Sequence, residues 1–315
     1  MHIRKLLTIL LLLALATALA SASEADLELP EVDPLDYSEG EIIIAGSSTV
    51  FPLSERMAER WTDEGGVAPS IASIGSGAGF ERFCVEGETD ISNASRPIKD
   101  SERESCKAIG REPIEFRVGA DALAVTVSSA NDFVNDVTLE ELALIFSSAE
   151  AWSDLRAEWP NEAIQRFIPG TDSGTFDYFV EVVFDEDEEP ILSANPQLSE
   201  DDNVLVQGIA GGPYAIGFFG YAYYVENQDA LRIISIEGIE ANAQTTDDGS
   251  YPLARPLFIY SDAGIMAEKP QVAAFINFYL ARVNDELVDV GYFPASASAL
   301  NAAKQAFLDA MMMDM

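Results

Sequence analysis

The sequence predicts an α/β protein of two domains, and three observations support this fold class. Apolar stretches typical of buried strands lead repeatedly into loops of glycine, serine and threonine, and then into helices, as in parallel sheets. The 315 residues suit two domains of about 100–150 residues each. Residues 114–127 form a strand pattern long enough to pass from one domain to the other.

The first strand–loop–helix unit follows an acidic, proline-containing stretch. Residues 41–45 are a continuous apolar run typical of a buried strand, and 46–50 form a loop of glycine, serine and threonine. Pro52 then opens a helix, because proline is favoured at a first helical position. The apolar side chains of that helix recur at helical spacing, at Leu53, Met57, Ala58 and Trp61.

The same order returns twice along the chain. The second unit has a strand over 70–74, a glycine–serine loop over 75–79 and a helix from Phe80 through Phe83. The third unit has a strand over 163–168, a loop over 170–175 and a helix over 176–184. In open α/β sheets, ligands bind where the carboxyl ends of strands meet helix N-termini. We therefore expect the three loops to form one edge of a site.

The third loop has the chemistry of an anion site. A helix N-terminus leaves backbone N–H groups unpaired and carries a partial positive charge. Thr171, Ser173 and Thr175 add hydroxyl donors, and glycine allows close backbone approach. For one such loop alone, an ordinary capped turn is the favoured interpretation. Its repetition along the chain favours the anion site.

The remaining elements complete an alternation of strands and helices. We predict a strand ending in a polar tip over 89–97, strands over 215–221 and 256–260, and helices over 139–146, 200–209, 272–280 and 300–310. Trp152 and Trp159 are predicted core residues. The acidic run 185–189 is predicted to be solvated, because it lacks the alternating ligand spacing of a calcium loop.

The N-terminus predicts export from the cytoplasm. Residues 1–22 have a basic start, a short apolar run and small residues near a cleavage point at Ala20 or Ala22, the pattern of a secretory signal peptide. An uncleaved membrane anchor is the alternative. Residues 23–40 are predicted to be an extended acidic linker. Cys84 and Cys106 are the two cysteines, and their closeness in an exported chain predicts a disulfide. We expect a soluble periplasmic or secreted protein.

The composition is strongly acidic. Asp and Glu number 54 against 18 Lys and Arg, giving a net charge of −36. This charge repels nucleic acid and anionic membranes, so neither is an expected partner. It also repels anionic ligands, although at about 1 M salt the Debye length is only about 3 Å. A saline habitat or a need for solubility would each explain the acidity. Any anion site must therefore rely on local N–H and hydroxyl donors.

The inventory of reactive side chains argues against an enzyme. His2 is the one histidine and is removed with the predicted signal peptide, so neither a Ser-His-Asp triad nor a histidine metal site can form. Ser173 lacks nucleophile-elbow spacing, and the third loop lacks the lysine of a nucleotide-binding loop. We expect no catalytic residues, no metal and no cofactor. A secreted surface protein would explain the acidity and the leader, but not three anion-type loops.

Five motifs in order carry a family resemblance. They are Gly-Ser-Ser-Thr-Val at 46–50, Gly-Ser-Gly-Ala-Gly at 75–79, Asp-Ile-Ser-Asn-Ala-Ser-Arg-Pro-Ile at 90–98, Gly-Thr-Asp-Ser-Gly-Thr-Phe-Asp-Tyr-Phe at 170–179 and Asp-Asp-Asn-Val-Leu-Val-Gln-Gly at 201–208. With them the chain resembles the PstS-like phosphate-binding proteins of bacterial ABC transporters, which are type II periplasmic solute-binding proteins. The resemblance covers nearly everything after the linker.

The resemblance implies a periplasmic-binding-protein-like fold, in which each domain is a mixed sheet flanked by helices and crossing hinge strands join the two. Domain I would comprise 41–118 plus 256–310, and domain II 119–255. A monomer of this kind would capture inorganic phosphate in the cleft and deliver it to membrane permease subunits. Sulfate, molybdate or tungstate are the alternative tetrahedral oxyanions.

The resemblance also suggests a ligand set, to which we add other residues of the matched motifs and, from the crossing strand, Asp121 as a candidate proton acceptor. The predicted ligand-binding residues are Ser48, Thr49, Val50, Ser76, Gly77, Ser95, Arg96, Asp121, Asp172, Ser173, Gly174 and Thr175. Two positions depart from the best-known members, which have an aspartate at the place of Arg96 and an arginine at the place of Pro169. That aspartate accepts the proton of bound phosphate.

The departure at Arg96 leaves the proton acceptor to be found. Asp172 and Asp121 are the candidates. Asp172 is equally consistent with a plain helix cap. Asp121 is equally consistent with a structural partner of Arg96 or Arg117.

Overall fold

The computed structural model of the protein describes residues 26–171 and 173–313. The predicted signal peptide over 1–22, the start of the predicted linker and the predicted ligand residue Asp172 lie outside the described residues. Within the described ranges, no helix is long and apolar enough to cross a membrane.

The protein has a mixed α/β architecture, as the sequence predicts. The strands are β1 Ile43–Gly46, β2 Ser70–Ser73, β3 Ile91–Ala94, β4 Ile114–Ser128, β5 Asp136–Val137, β6 Gln165–Pro169, β7 Gln197–Ser199, β8 Ala215–Gly220, β9 Leu231–Ile233, β10 Ser235–Ile236 and β11 Ala254–Ser261. The helices are α1 Phe51–Asp63, α2 Ser76–Glu81, α3 Asp100–Ala108, α4 Leu139–Ile145, α5 Gly174–Phe184, α6 Glu189–Ser193, α7 Asp202–Ala210, α8 Tyr221–Glu226, α9 Ala243–Asp247, α10 Ala263–Glu268, α11 Pro270–Val290 and α12 Ala297–Met313.

Nine of the described strands form one mixed sheet. Its order is β2-β1-β3-β11-β4-β8-β6-β7, and β9 pairs with the far end of β4. The pairings of β1 with β2 and β3 are parallel, as are those of β6 with β7 and β8. The pairings that involve β4 or β11 are antiparallel. Two parallel groups are thus joined through antiparallel strands in the middle of the sheet.

The central strand β4 connects the two groups, as its predicted length suggested. Its first part pairs with β11, with Asp121 opposite Arg255, and its last part pairs with β8, with Leu123 opposite Gly220. The register of β4 with β11 shifts between Leu257 and Phe258. A single strand therefore belongs to both halves of the molecule, and Asp121 lies close to the point where it changes partner.

The buried hydrophobic side chains form two large clusters. One is built from residues between 42 and 118 together with residues between 257 and 310. The other is built from residues between 122 and 253, and it contains the predicted core residues Trp152 and Trp159. A smaller cluster surrounds the disulfide between Cys84 and Cys106. The fold is therefore the two-domain arrangement of periplasmic binding proteins, with a core in each half.

The segment before β1 differs from the expected extended linker. Pro34–Tyr37 form a 3-10 helical turn, and Leu29 and Val32 pack with Tyr37 against the first cluster. Lys304 on α12 donates to Asp26 at 3.0 Å. Leu29, Val32 and Tyr37 are not regularly spaced along the sequence, because this segment covers the core as an irregular chain. Periodicity in the sequence could not reveal that contact.

Two helices begin earlier than predicted. The second unit's helix begins at Ser76 rather than Phe80, and the third begins at Gly174 rather than 176. In both cases, residues expected to form a loop supply the first helical turn. This brings the unpaired N–H groups of the helix start closer to the end of the preceding strand.

Candidate functional site

The first loop is fixed by Ser47, which lies directly after β1. Its backbone N–H donates to the carbonyl of Asn93 at 2.9 Å. Its hydroxyl oxygen accepts from the N–H of Thr49 at 3.2 Å and from that of Val50 at 3.4 Å. Gly46 has a φ of 143°, and a Cβ there would lie 2.1 Å from the Asn93 carbonyl oxygen, so glycine is required. The loop is therefore fixed to β3 through Asn93 and to its own backbone through the Ser47 hydroxyl before α1 begins.

The second loop is tied to the polar tip that follows β3. The backbone N–H of Ser95 donates to the Ser76 hydroxyl at 3.1 Å, and the two hydroxyls lie 3.3 Å apart. The predicted strand with a polar tip and the second strand–loop–helix unit thus meet. Ser76 and Ser95 are part-buried neighbours at the edge of one cavity.

The third loop reaches the first across the cleft. Ser173 caps α5 by accepting from the N–H of Thr175 at 3.2 Å. A Cβ on Gly174 would lie 3.3 Å from the Cβ of Ser48 and 3.6 Å from the backbone nitrogen of Thr49. The loop before α1 and the N-terminus of α5, one from each half of the molecule, are therefore separated by little more than the room for one methyl group.

A cavity of about 250 Å³ lies where the three loops meet. The predicted residues that line it are Ser48, Thr49, Ser76, Gly77, Ser95, Arg96 and Gly174. The predicted residues that do not line it are Val50, Asp121, Ser173 and Thr175. Val50 is fully buried, and the N–H of Thr175 is already bonded to Ser173. Each of the three predicted loops therefore contributes some of its predicted residues to the cavity lining, but not all of them.

Arg255 is the buried cationic lining residue that the sequence reasoning missed. It lies on β11, is only 5% exposed, and lines the cavity. Its Nε and Nη2 donate to the same oxygen of Asp121, Oδ2, at 3.0 and 2.8 Å. Its guanidinium lies 4.0 Å from the ring centroid of Tyr178, which orients it by a cation–π contact. The signal available in the sequence was that Arg255 directly precedes the predicted strand 256–260. That strand could pair with the predicted strand 114–127, which carries Asp121.

This geometry corrects the expected partners of Asp121. Asp121 pairs with Arg255, whereas Arg96 pairs with Glu102 and Arg117 with Asp247. The other oxygen of Asp121, Oδ1, is buried with no hydrogen-bond partner among the described residues. Since Asp121 does not line the cavity, its contact with the site runs through Arg255.

Arg96 reaches the cavity with its charge already matched. Its Nη1 and Nη2 donate to the two oxygens of Glu102 at 2.9 and 2.7 Å. Burial alone would raise the pKa of Glu102, but the Arg96 guanidinium and the backbone N–H of Lys99 hold that pKa below its usual value. The bidentate pair leaves Arg96 with little net charge to offer a ligand.

The cavity does not carry an excess of positive side chains. Its cationic lining residues are Arg96, Lys99 and Arg255, and its carboxylates are Asp177, Glu181 and Glu186. Among residues 26–171 and 173–313, no group of three or more His, Cys, Asp or Glu could hold a metal ion. The arrangement can bind a small anion by hydrogen bonds from helix N-termini, hydroxyls and two guanidinium groups.

Comparisons with known proteins agree on one family. Residues 31–283 match the family described as PBP superfamily domain. Protein SphX of Synechococcus elongatus is 41% identical over 274 residues, which cover 83% of this chain and 80% of that protein. The phosphate-binding protein PstS of Staphylococcus saprophyticus is 36% identical, covering 81% of this chain and 80% of that protein.

Solved structures show the same similarity. The crystal structure of a possible phosphate binding protein from Planctomyces limnophilus has a TM-score of 0.80 at 38% identity, covering 87% of this chain and 99% of that one. A putative phosphate ABC transporter substrate-binding protein from Clostridium perfringens, solved with bound phosphate, has a TM-score of 0.57 at 25% identity. It covers 81% of this chain and 100% of that one.

Proposed function

The chain belongs to the PstS-like phosphate-binding proteins of bacterial ABC transporters, and we propose that it captures inorganic phosphate in the cleft and delivers it to a membrane permease. The observation that carries this function is the approach of the loop before α1 to the N-terminus of α5, which brings Ser48, Thr49 and Gly174 to one cavity. Aligned peptide dipoles give helix N-termini a partial positive charge, which makes them anion sites.

The proposed ligands combine backbone, hydroxyl and guanidinium donors. We assign the predicted lining residues Ser48, Thr49, Ser76, Gly77, Ser95, Arg96 and Gly174 to the phosphate, and we add Arg255. Ser173 caps α5, so its role is to shape the third loop. Asp121 is proposed as a positioning residue that holds Arg255, in place of the proton acceptor considered from the sequence.

Hydrogen bonding rather than net charge explains how an acidic chain can bind phosphate. The chain carries a net charge of −36, and both guanidinium groups of the cavity are paired with carboxylates. The ligand therefore gains its free energy from short-range donors, which act in a partly dry site and are not weakened by distant charges. Specificity follows from how completely the ligand satisfies those donors.

Hinge closure is proposed as the means of capture. We assign 41–118 with 256–310 to one domain and 119–255 to the other, since the two hydrophobic clusters divide the chain in this way. The strands β4 and β11 cross between the halves and carry Asp121 and Arg255. A phosphate bound to Arg255 thus contacts a residue of the strands about which the two domains would close.

The family consists of extracytoplasmic transporter substrate-binding proteins. For this chain, we further propose a cleaved signal peptide over 1–22, a monomeric mature protein that catalyses no reaction, and permease subunits rather than nucleic acid as partners. The acidic surface supports the exclusion of nucleic acid.

Titration calorimetry of the protein without its leader tests the proposal. Phosphate should bind with a stoichiometry of one per chain, and sulfate, molybdate and tungstate should give little or no heat at the same concentrations. The matched control is Lys107→Gln, because Lys107 lies on α3 and does not line the cavity. Heat with sulfate and none with phosphate would refute phosphate as the ligand while leaving the fold in place.

A further inference from the structure

A second deeply buried arginine lies away from the cleft. Arg166 is 8% exposed and belongs to β6, whose other end leads into the third loop. No carboxylate of the described residues lies within salt-bridge distance of its guanidinium. All ion pairs in the described ranges are formed by residues other than Arg166. The desolvation of this group lowers the pKa of Arg166.

Within the described ranges, this guanidinium donates hydrogen bonds to backbone carbonyls alone. Nε donates to the carbonyl of Ile145, Nη2 to that of Ala149, and Nη1 more weakly to that of Ile164, at 3.5 Å. Ile145 is the last residue of α4, where helix carbonyls carry a partial negative charge. These contacts orient the guanidinium, but neutral acceptors leave its unit charge in place.

The same arginine lines a cavity of about 550 Å³. Ser147, Ser148, Pro190, Ser193 and Ala194 are among its other lining residues. A guanidinium has five N–H donors, of which the carbonyls take three. One N–H group on Nη1 and one on Nη2 are therefore left for a further acceptor.

We propose that this cavity binds a small monovalent inorganic anion, of which chloride is the simplest, at the guanidinium of Arg166. A buried charge without a counter-ion is costly, and an anion that enters from solvent would provide one. The hydroxyls of Ser148 and Ser193 can donate to the same anion, whereas that of Ser147 already donates to the carbonyl of Ala143.

Glu150 argues for a monovalent anion rather than a second phosphate. This carboxylate lines the cavity and is exposed. Glu150 offsets part of the Coulomb attraction to Arg166, whereas the Born cost of removing an anion from water grows with the square of its charge, so a phosphate dianion is disfavoured more than chloride is. The cavity and the cleft should therefore select different anions.

Chloride-35 NMR line broadening tests this site, with one equivalent of phosphate bound in the cleft. At constant ionic strength, the wild-type protein should broaden the chloride line, and Arg166→Met should remove most of that excess. Glu150→Gln should increase it several-fold. Equal broadening by the wild-type protein and Arg166→Met would overturn the proposal, because the chloride would then be bound elsewhere.

Two further arms keep the test decisive. If Arg166→Met does not fold, Arg166→Lys keeps a cation but loses the N–H groups of Nη1 and Nη2, and it should lower the broadening at least several-fold. Excess phosphate should leave the wild-type broadening unchanged. Loss of the broadening on adding excess phosphate would overturn the assignment to a monovalent anion, and no extra broadening by Glu150→Gln would also count against it.

Discussion

The two most deeply buried arginines of the described chain have different electrostatic environments. Arg255 donates twice to Asp121 and stacks on Tyr178, so its charge is matched within the protein. Arg166 donates to backbone carbonyls alone, so its charge is not matched. They are 5% and 8% exposed, and burial therefore does not distinguish them.

This difference shows two ways in which a buried arginine can serve an anion. A paired arginine supplies oriented N–H donors with little net charge, which favours recognition by geometry. An unpaired arginine supplies charge, which favours any small anion that can reach it. The cleft of this acidic protein uses a paired arginine, Arg255, and the cavity at Arg166 uses an unpaired one.

The largest expected effect comes from breaking the pair in the cleft. Arg255→Met should weaken phosphate binding by at least about 100-fold, because it removes a guanidinium and leaves the buried charge of Asp121 beside the site. The unfolding free energy should also fall by about 3–5 kcal/mol. Titration calorimetry and urea unfolding measure the two losses.

Two matched variants isolate the cause. Adding Asp121→Asn to Arg255→Met should recover much of the stability but not the phosphate affinity, since no buried charge is then left alone. Arg166→Met, which leaves no carboxylate without a partner, should leave phosphate affinity within about twofold of the wild type. Wild-type phosphate affinity in Arg255→Met would contradict the assigned role of Arg255.

A smaller effect is expected at the mouth of the cleft, where Arg96 is paired but partly exposed. Arg96→Gln should weaken phosphate binding by about tenfold, since Glu102 already neutralises much of the charge that is removed. The reciprocal variant, Glu102→Gln, frees that charge and should tighten binding a few-fold. Weaker binding in Glu102→Gln would show that the pair acts by holding Arg96 in place.

The parts of this site that the sequence could predict are those that depend on residues close to one another along the chain. The three loops and the polar tip were predicted because glycine, serine and threonine after an apolar strand are a local signal. Arg255 was missed because its position depends on the antiparallel register of β11 with β4, which joins residues more than 100 positions apart. Asp121 was therefore given the wrong arginine partners.

The fold shows the same limit. The strands and helices that were predicted begin within about four residues of the observed ones, since their hydrophobic periods are local, but α11 continues ten residues past its predicted end and α3 was not predicted. The early start of α2 at Ser76 was missed because serine and glycine favour a loop reading, whereas the tie between Ser76 and Ser95 stabilises that first turn. The contact of Leu29 and Val32 with the core was missed because an irregular covering segment has no period.

The smallest effect concerns arginines paired near the surface of the first half. Arg56 and Arg60 donate to Glu286 at 2.6 and 2.7 Å. Burial opposes them, but together they lower the pKa of Glu286 below its ordinary value of 4.5. A lowered folded pKa stabilises the protein above the unfolded pKa, and the contribution is lost as the pH falls through the folded pKa.

Glu286→Gln should therefore cost about 1 kcal/mol of unfolding free energy at pH 7. Urea unfolding at decreasing pH should show the difference between the variant and the wild type shrink below pH 4.5, the ordinary value. Exposed Glu59, which lies 3.5 Å from Arg56, provides the matched control, and Glu59→Gln should change stability less. A pH-independent difference would assign the effect to packing.

The glycine at position 174 has a consequence for ligand size. Because a Cβ there would lie only 3.3 Å from the Cβ of Ser48, the gap between the first and third loops leaves little room for even one added methyl group. The width of the gap is then set by rigid main chain rather than by adjustable side-chain rotamers. Anions of equal charge would be sorted by radius, and any substitution that adds a methyl group at this position would shift that threshold.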